Sequence, residues 1–308
     1  MAHEAYFPAM GGEAHVLVNG DGDGRLLARA RRRIAELEAR WSRFLPDSEI
    51  SRLNRRPGQQ TVVSPETFSL VEHAVAAWDA TAGRYDPTVL PALREAGYDR
   101  DLALITDTGP TPGTPRPRPS CELVAPGCGL VGLDRERLAV TLPAGVEIDP
   151  GGIGKGLAAD LVTGELADDG AAGSMVNLGG DLRVRGEPPE GDSWSIAVED
   201  PWQPERLLVT IGLRDGGVAS SSRLRRRWTR DGTPRHHIID PRTGQPTDND
   251  LVAVTTVAAE AWWAEAASKS VFVAGAPAGR ADAAGVLVAT VDVAGRVEMS
   301  PELARIAA

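Results

Sequence analysis

The run WWAEAASKSVFVAG, residues 262–275, carries one acid and one base among small and apolar residues, Glu265 and Lys269. Four apart with the acid first, they have the favourable order for an ion pair on a helix surface, worth about 0.2–0.5 kcal/mol. The Ala, Ser, Trp, Val and Phe around them leave no broad polar face of the kind a solvated helix shows. Two readings stand side by side: a surface pair, or two charges turned into a site.

A second candidate is EIDPGGIGKGLAAD, where an apolar approach ends at Asp149, glycines 151, 152 and 154 form a turn, and Lys155 enters a helix. Glycines let a backbone approach a ligand closely, and a helix N-terminus offers amide donors to phosphate. The spacing is neither that of a P-loop nor that of a dinucleotide fingerprint, and a ligand-free strand-to-helix turn is the plain alternative. SMVNLGGDLRVRG reads as a strand in which Asn177 and the pair Gly179, Gly180 mark a bulge or a close approach. RHHIIDPRTGQPT sets His236 and His237 ahead of a strand-like IID and a turn at Pro241 and Gly244. Neighbours on a strand face opposite ways, so at most one of the two histidines reaches a given site. In RLRRRWTR, Arg223, Arg225 and Arg227 alternate as one strand face would. Solvated edge protection is the plain reading, and contact of one or two of them with a phosphate is the other.

The elements that must position these residues follow from periodicity. AHVLVNG alternates like a strand, and Leu26, Ile34, Leu37 and Trp41 lie at helical spacing behind it. PETFSLVEHAVAAWDATAG makes a helix opened by Ser64 and Pro65 and closed by Gly83. The five prolines of TDTGPTPGTPRPRPS, residues 106–120, predict an exposed loop within one domain spanning 1–308. RLAVTLP, WSIAVED, RLLVTIGLR, VAVTTVAA and GVLVATVD read as strands with helices between the runs, which predicts an α+β class with largely antiparallel pairing.

Composition bounds the partners. With 33 basic and 43 acidic side chains the net charge is −10, against a diffuse nucleic-acid surface. Cys121 and Cys128 have no further ligands nearby and read as ordinary thiols. No basic start with an apolar run opens the chain and no stretch reads as a membrane span, so the expectation is a cytoplasmic protein without a signal peptide.

Taken together, FPAMGGEAHVLV, RWSRFLPDSEISRLN, GRYDPTVLPAL, EIDPGGIGKGLAAD, SMVNLGGDLRVRG, VASSSRLRRRW and HHIIDPRTGQP resemble, in this order, the ApbE family of FAD:protein FMN transferases. The resemblance implies a single T-fold-like α+β domain that binds FAD and moves its FMN half onto a Thr or Ser hydroxyl of an acceptor protein, releasing AMP. It implies FAD contacts at Met10, Tyr85, Asp86, Thr88, Asp149, Lys155, Asn177, Gly179, Gly180 and Ile238. His237 and Asp240 fall in the segment beside the reacting phosphate, with His237 as the acceptor of the hydroxyl proton, a task that asks for a pKa near neutrality. Gly152 falls where a backbone carbonyl contacts magnesium. The departure is at the opening pair: relatives carry Asp at position 265 and Thr or Ser at 269, where this chain has Glu265 and Lys269. A protonated lysine is no metal ligand, which leaves Glu265 alone as a candidate there and puts Mg2+ in doubt. Two functions follow: a transferase in which Lys269 sets its charge on the pyrophosphate, or an FAD-binding protein that scavenges flavin without transfer. Hydrolysis of FAD to FMN and AMP would use the same site.

Overall fold

In GEAHVLVN the alternation buries Ala14, Val16 and Val18 on one face, and a sheet forms around that strand. The computed structural model describes residues 1–105, 125–230, 232–276, 278 and 285–307. In chain order these give β1 (Ala2–Ala9), β2 (Gly12–Asn19), α1 (Arg25–Trp41), α2 (Glu49–Asn54), β3 (Thr61–Val62), α3 (Pro65–Ala80) and α4 (Leu90–Glu95). There follow β4 (Gly132–Asp134), β5 (Ala139–Thr141), α5 (Gly154–Asp168), β6 (Gly173–Leu178), β7 (Asp181–Gly186), β8 (Trp194–Glu199), β9 (Leu207–Leu213) and β10 (Gly216–Ser222). The chain continues through β11 (Arg227–Arg230), β12 (Thr233–His236), β13 (Ile239–Asp240), β14 (Gln245–Pro246), β15 (Leu251–Ala258), α6 (Ala261–Ala274), β16 (Leu287–Asp292), β17 (Val297–Met299) and α7 (Pro301–Ile306). The proline-rich stretch lies outside the described residues.

Eight strands form one sheet in the order β1-β2-β6-β7-β10-β15-β16-β17, every neighbouring pair antiparallel. The α+β expectation holds, and its reason is visible in the connections: hairpins build the sheet while α1, α5 and α6 pack on it. Ala30, Ile34, Leu37 and Trp41 of α1 join Val16, Val162 and Val176 in the main core. The β8–β9 hairpin and α7 form a second core with Val184 and Val218.

Two sequence readings change. SMVNLGGDLRVRG is a hairpin, β6 and β7, whose two-residue turn is Gly179-Gly180 with φ of 65° and 98°. Positive φ at both central residues matches the twist of the flanking strands, which is why glycine stands at both. The strand β1 precedes the first one expected. It is an edge whose outer face mixes Ala2, Glu4, Tyr6 and Pro8, with buried residues only at Phe7 and Ala9, so its apolar alternation is faint.

Helix α6 answers the question its sequence raises. It buries Ala261, every residue from Ala264 to Ser268, and Ser270 to Val273, covering nearly its whole circumference. Glycines make this possible: a Cβ on Gly156 would lie 2.3 Å from the Ala261 carbonyl oxygen, and one on Gly217 2.3 Å from the Ala261 Cα. Asp160 of α5 secures the start of α6, its carboxylate accepting from the Ala261 and Trp262 N–H groups at 2.9 and 2.8 Å.

Candidate functional site

The glycine turn at 150–152 sits between the first turn of α5 and the segment around Tyr85. Asp149 N–H donates to the Pro87 carbonyl at 2.8 Å, and its Oδ1 accepts from Gly151 N–H at 3.0 Å and pairs with Arg43 Nε at 3.3 Å. A Cβ on Gly152 would meet the Tyr85 ring at 2.8 Å and Lys269 Cδ at 3.1 Å, so glycine is what lets those two side chains close over the turn. An open cavity of about 330 Å³ lies against this turn. That is the size of a small-molecule site.

Because α5 and α6 touch at the backbone, four charges meet beside the cavity. Lys155 is ion-paired with Asp181, and its Nζ lies 3.7 Å from Glu265 Oε1. Lys269 Nζ lies 3.4 Å from the same oxygen, while Glu265 Oε2 accepts from Gly156 N–H at 2.8 Å. Glu265 is fully buried and Asp181 is 2% exposed, yet both lysines reach the cavity wall. Burial pushes the Glu265 carboxyl up and the Asp181 charge pushes the same way, against the two ammonium groups. For Asp181, burial also pushes upward, but Lys155 and Lys269 outweigh it and its carboxyl is held below the ordinary range. The Glu265–Lys269 pair is therefore one end of a buried chain of contacts, Lys269–Glu265–Lys155–Asp181, not a solvated ornament.

Opposite stands the β11–β12 hairpin with the residue that follows it, His237. His237 lines the cavity and His236 turns away to the Thr247 carbonyl at 3.1 Å, as the alternation requires. Burial first, then the Arg226 and Lys269 charges, drive the His237 pKa well below its ordinary 6.5, so the imidazole is neutral rather than poised near pH 7. Its Nδ1 lies 3.3 Å from the Arg226 carbonyl, which assigns the proton to Nδ1 and leaves Nε2 as the acceptor.

Met10 lines the cavity from the β1–β2 turn with φ of 50°, a conformation uncommon outside glycine. Tyr85, Asp86, Asp149, Gly152, Lys155, Ile238 and Lys269 line it too. Thr88 stands behind, donating through N–H and hydroxyl to Asp86 Oδ1 at 2.8 and 2.6 Å; burial raises the Asp86 pKa against those bonds. Asn177, Gly179 and Gly180 are not on the wall: Asn177 Oδ1 accepts from Gly180 N–H at 2.8 Å and shapes the turn that delivers Asp181. Asp240 is not on the wall either, its carboxylate taken by the Arg242 N–H and guanidinium at 2.8–3.0 Å. The expected alternating arginine face is not there: residues 223–226 form a turn between β10 and β11. Arg225 pairs with Glu199, Arg223 donates to the Asn249 carbonyl and Arg227 is exposed, whereas Arg226 lines the cavity.

Arg43 and Asp181 carry no sequence signal beyond their neighbours' motifs. Arg43 lies between the Phe44 and Tyr98 rings, 4.2 and 4.6 Å from their centroids, at the aromatic part of the wall. Its Nη2 and the Tyr85 hydroxyl are buried and have no hydrogen-bond partner among the described residues. Unpaired buried donors beside a cavity fit a ligand that brings acceptors, and the flat rings with cations nearby fit one that joins an aromatic ring to phosphates. Magnesium fits poorly. Glu265 has no exposed surface, both its oxygens are engaged, and no group of three or more His, Cys, Asp or Glu able to hold a metal occurs among the described residues. A divalent ion would also face two ammonium groups, each opposing it by several kcal/mol at contact distances even at an effective dielectric of about 20.

A largely antiparallel α+β scaffold with an open cavity, aromatic on one wall and cationic at a glycine turn, defines a protein built to handle an anionic, ring-bearing small molecule. The chain belongs to the ApbE family, whose profile matches residues 10–288. It is 30% identical over 273 residues to the FAD:protein FMN transferase of Haemophilus influenzae, covering 82% of this chain and 75% of that one. To the enzyme of the same name from Vibrio cholerae it is 29% identical over 252 residues, covering 81% and 73%. The crystal structure of the ApbE protein of Thermotoga maritima superimposes with a TM-score of 0.86 at 28% identity over 99% of both chains. The flavin transferase ApbE of Vibrio cholerae gives 0.81 at 24%, also over 99% of each, a likeness of fold.

Proposed function

We propose that this chain is an FAD:protein FMN transferase whose fixed positive charge is supplied by Lys155 and Lys269 rather than by a resident magnesium ion. The observation that carries the reading is the ion-paired chain Asp181–Lys155–Glu265–Lys269 at the glycine turn, with a neutral His237 on the same cavity. The acceptor protein's Thr or Ser oxygen attacks the phosphorus of the FMN half. A new O–P bond forms as the bridging P–O bond to the AMP half breaks, and AMP leaves with the bond's electron pair. The hydroxyl proton passes to His237 Nε2. Charge gathers on the phosphoryl and departing oxygens, where Lys155, Lys269 and the amides of the glycine turn stabilise it without rearranging. Met10, Tyr85, Asp86, Asp149 and Ile238 hold the nucleotide. Thr88 acts by orienting Asp86, and Asn177 with Gly179 and Gly180 by placing Asp181. Asp240 serves the β13–β14 turn.

The test is in-gel flavin fluorescence of an acceptor protein carrying a target threonine, incubated with FAD and the enzyme in magnesium or in EDTA. Covalent label in both conditions is expected. Label only with magnesium overturns the lysine role and keeps the transferase. Tight FAD binding with no label and no AMP in either condition leaves a flavin-binding protein, and AMP without label makes it a hydrolase.

A further inference from the structure

Beyond the residues that family resemblance singles out, the β11–β12 hairpin brings a second group to the same site. Its last ladder pair is Arg227 with His236. One step further lie Arg226 and His237, and the ladder geometry continues there, His237 N–H donating to the Arg226 carbonyl at 3.3 Å. The two residues thus leave the hairpin side by side, and both side chains line the cavity. The hairpin is held from behind: Trp228 Nε1 donates to the Ala96 carbonyl at 2.7 Å, its ring packs 5.4 Å from that of Tyr98, and Arg230 bonds the Glu95 carbonyl.

Arg226 differs from the arginines around it. Arg223, Arg225, Arg230 and Arg235 are each engaged by a carbonyl, carboxylate or amide oxygen, and Arg227 is exposed. The Arg226 guanidinium is half-buried and makes no hydrogen bond or ion pair among the described residues. A partly desolvated cation without a partner is costly unless a ligand supplies one. The titratable groups its charge acts on include Asp181, already paired with Lys155, and His237.

We propose that Arg226 is a further catalytic residue, its guanidinium taking oxygens of the substrate's diphosphate on the side of the cavity that carries the base His237. The proposal rests on the FMN-transfer reading. A planar fork of donors matches two phosphoryl oxygens at once, which an ammonium does not. Arg226 and His237 then form one unit: the Arg226 carbonyl fixes the imidazole tautomer, its charge helps keep the imidazole neutral, and its guanidinium stabilises the charge that the proton transfer releases onto phosphate.

Arg226→Ala and Arg226→Lys test this, with ADP and riboflavin binding measured beside transfer. Arg226→Ala is expected to lower kcat about 100- to 1000-fold, as loss of one preorganised donor does, and to weaken ADP but not riboflavin. Added guanidinium ion recovers part of the rate in Arg226→Ala, Arg226→Lys retains an intermediate rate, and the thermal midpoints stay at the wild-type value. Overturning results are an Arg226→Ala enzyme with wild-type kcat and ADP affinity, or a loss that neither guanidinium nor lysine relieves and that comes with a lowered midpoint. If the wild-type protein transfers nothing, the function fails on its own test, and the ADP and riboflavin affinities still judge Arg226.

Discussion

Lys269 and His237 are the residues at which charge placement decides chemistry. Lys269→Ala removes one of two cations from a fully buried carboxylate that burial and Asp181 already push toward protonation. Transfer is expected to fall at least 100-fold, far beyond what loss of an exposed i, i+4 pair does to stability; kcat measured beside the unfolding midpoint separates the two. For His237 the sign is set by its depressed pKa: the folded state resists protonation and the unfolded chain does not. Its contribution to stability is complete above the ordinary 6.5 and is lost as pH falls from there toward the folded value. His237→Asn should accordingly flatten the acid-side decline of the unfolding midpoint below pH 6.5. In the wild type, log kcat/KM should have no limb between pH 6.5 and 8 assignable to this imidazole. A limb in that range that His237→Asn abolishes contradicts the neutral-base assignment. The resemblance points to this histidine as the one beside the phosphate, but its pKa depends on its burial and on the charges of Arg226 across the hairpin and Lys269 of α6, which leave no mark on its neighbours in the chain.

At the scale of elements, the site depends on how closely two helices can lie. Gly156 lets α5 meet the first turn of α6 with backbone against backbone, and Lys155 and Glu265 come within reach only for that reason. Gly156→Ala sets a methyl 2.3 Å from a carbonyl oxygen that cannot step aside as a side chain would. Denaturant titration should find a loss at or above the usual overpacking cost of about 1–3 kcal/mol, with FAD transfer reduced more steeply than in a surface variant of equal stability, because the helices must part. Wild-type stability would mean that the helices do not meet this way. The glycine turn and its lysine are legible in EIDPGGIGKGLAAD because close approach needs glycine locally. The partner across the gap, Asp181, is not. SMVNLGGDLRVRG reads as one strand with a bulge or close approach, and only the antiparallel pairing of Leu178 with Asp181 makes it a hairpin. The arginine run misleads for a similar reason. The run reads as one strand, but residues 223–226 are a turn ahead of β11, and which arginine meets the cavity is set by where the hairpin docks on Ala96 and Tyr98.

For the whole molecule, the cavity is a place where separate parts of the fold meet: the β1–β2 turn at Met10, the end of α1 at Trp41, the segment after α3, the glycine turn, the hairpin and α6. A ligand there contacts all of these elements at once, and binding to the native state alone raises stability by mass action, about 2.7 kcal/mol at a hundredfold excess over Kd. FAD should therefore raise the thermal midpoint by several degrees. Because Lys155 and Lys269 already stand against the buried carboxylates Asp181 and Glu265, that rise should be the same in EDTA as in millimolar magnesium. Manganese should likewise bring no added shift. In a site that relied on a resident divalent ion the chelator would remove most of the FAD-induced shift, since the diphosphate would then face the buried carboxylates uncompensated. The double variant Glu265→Asp with Lys269→Thr supplies the contrast within one scaffold. It exchanges an ammonium for a hydroxyl and shortens the acid, so its FAD-induced shift should become dependent on magnesium where that of the parent is not. A parent whose shift collapses in EDTA would show that a cation reaches the site despite the two lysines, and would return the metal to the mechanism.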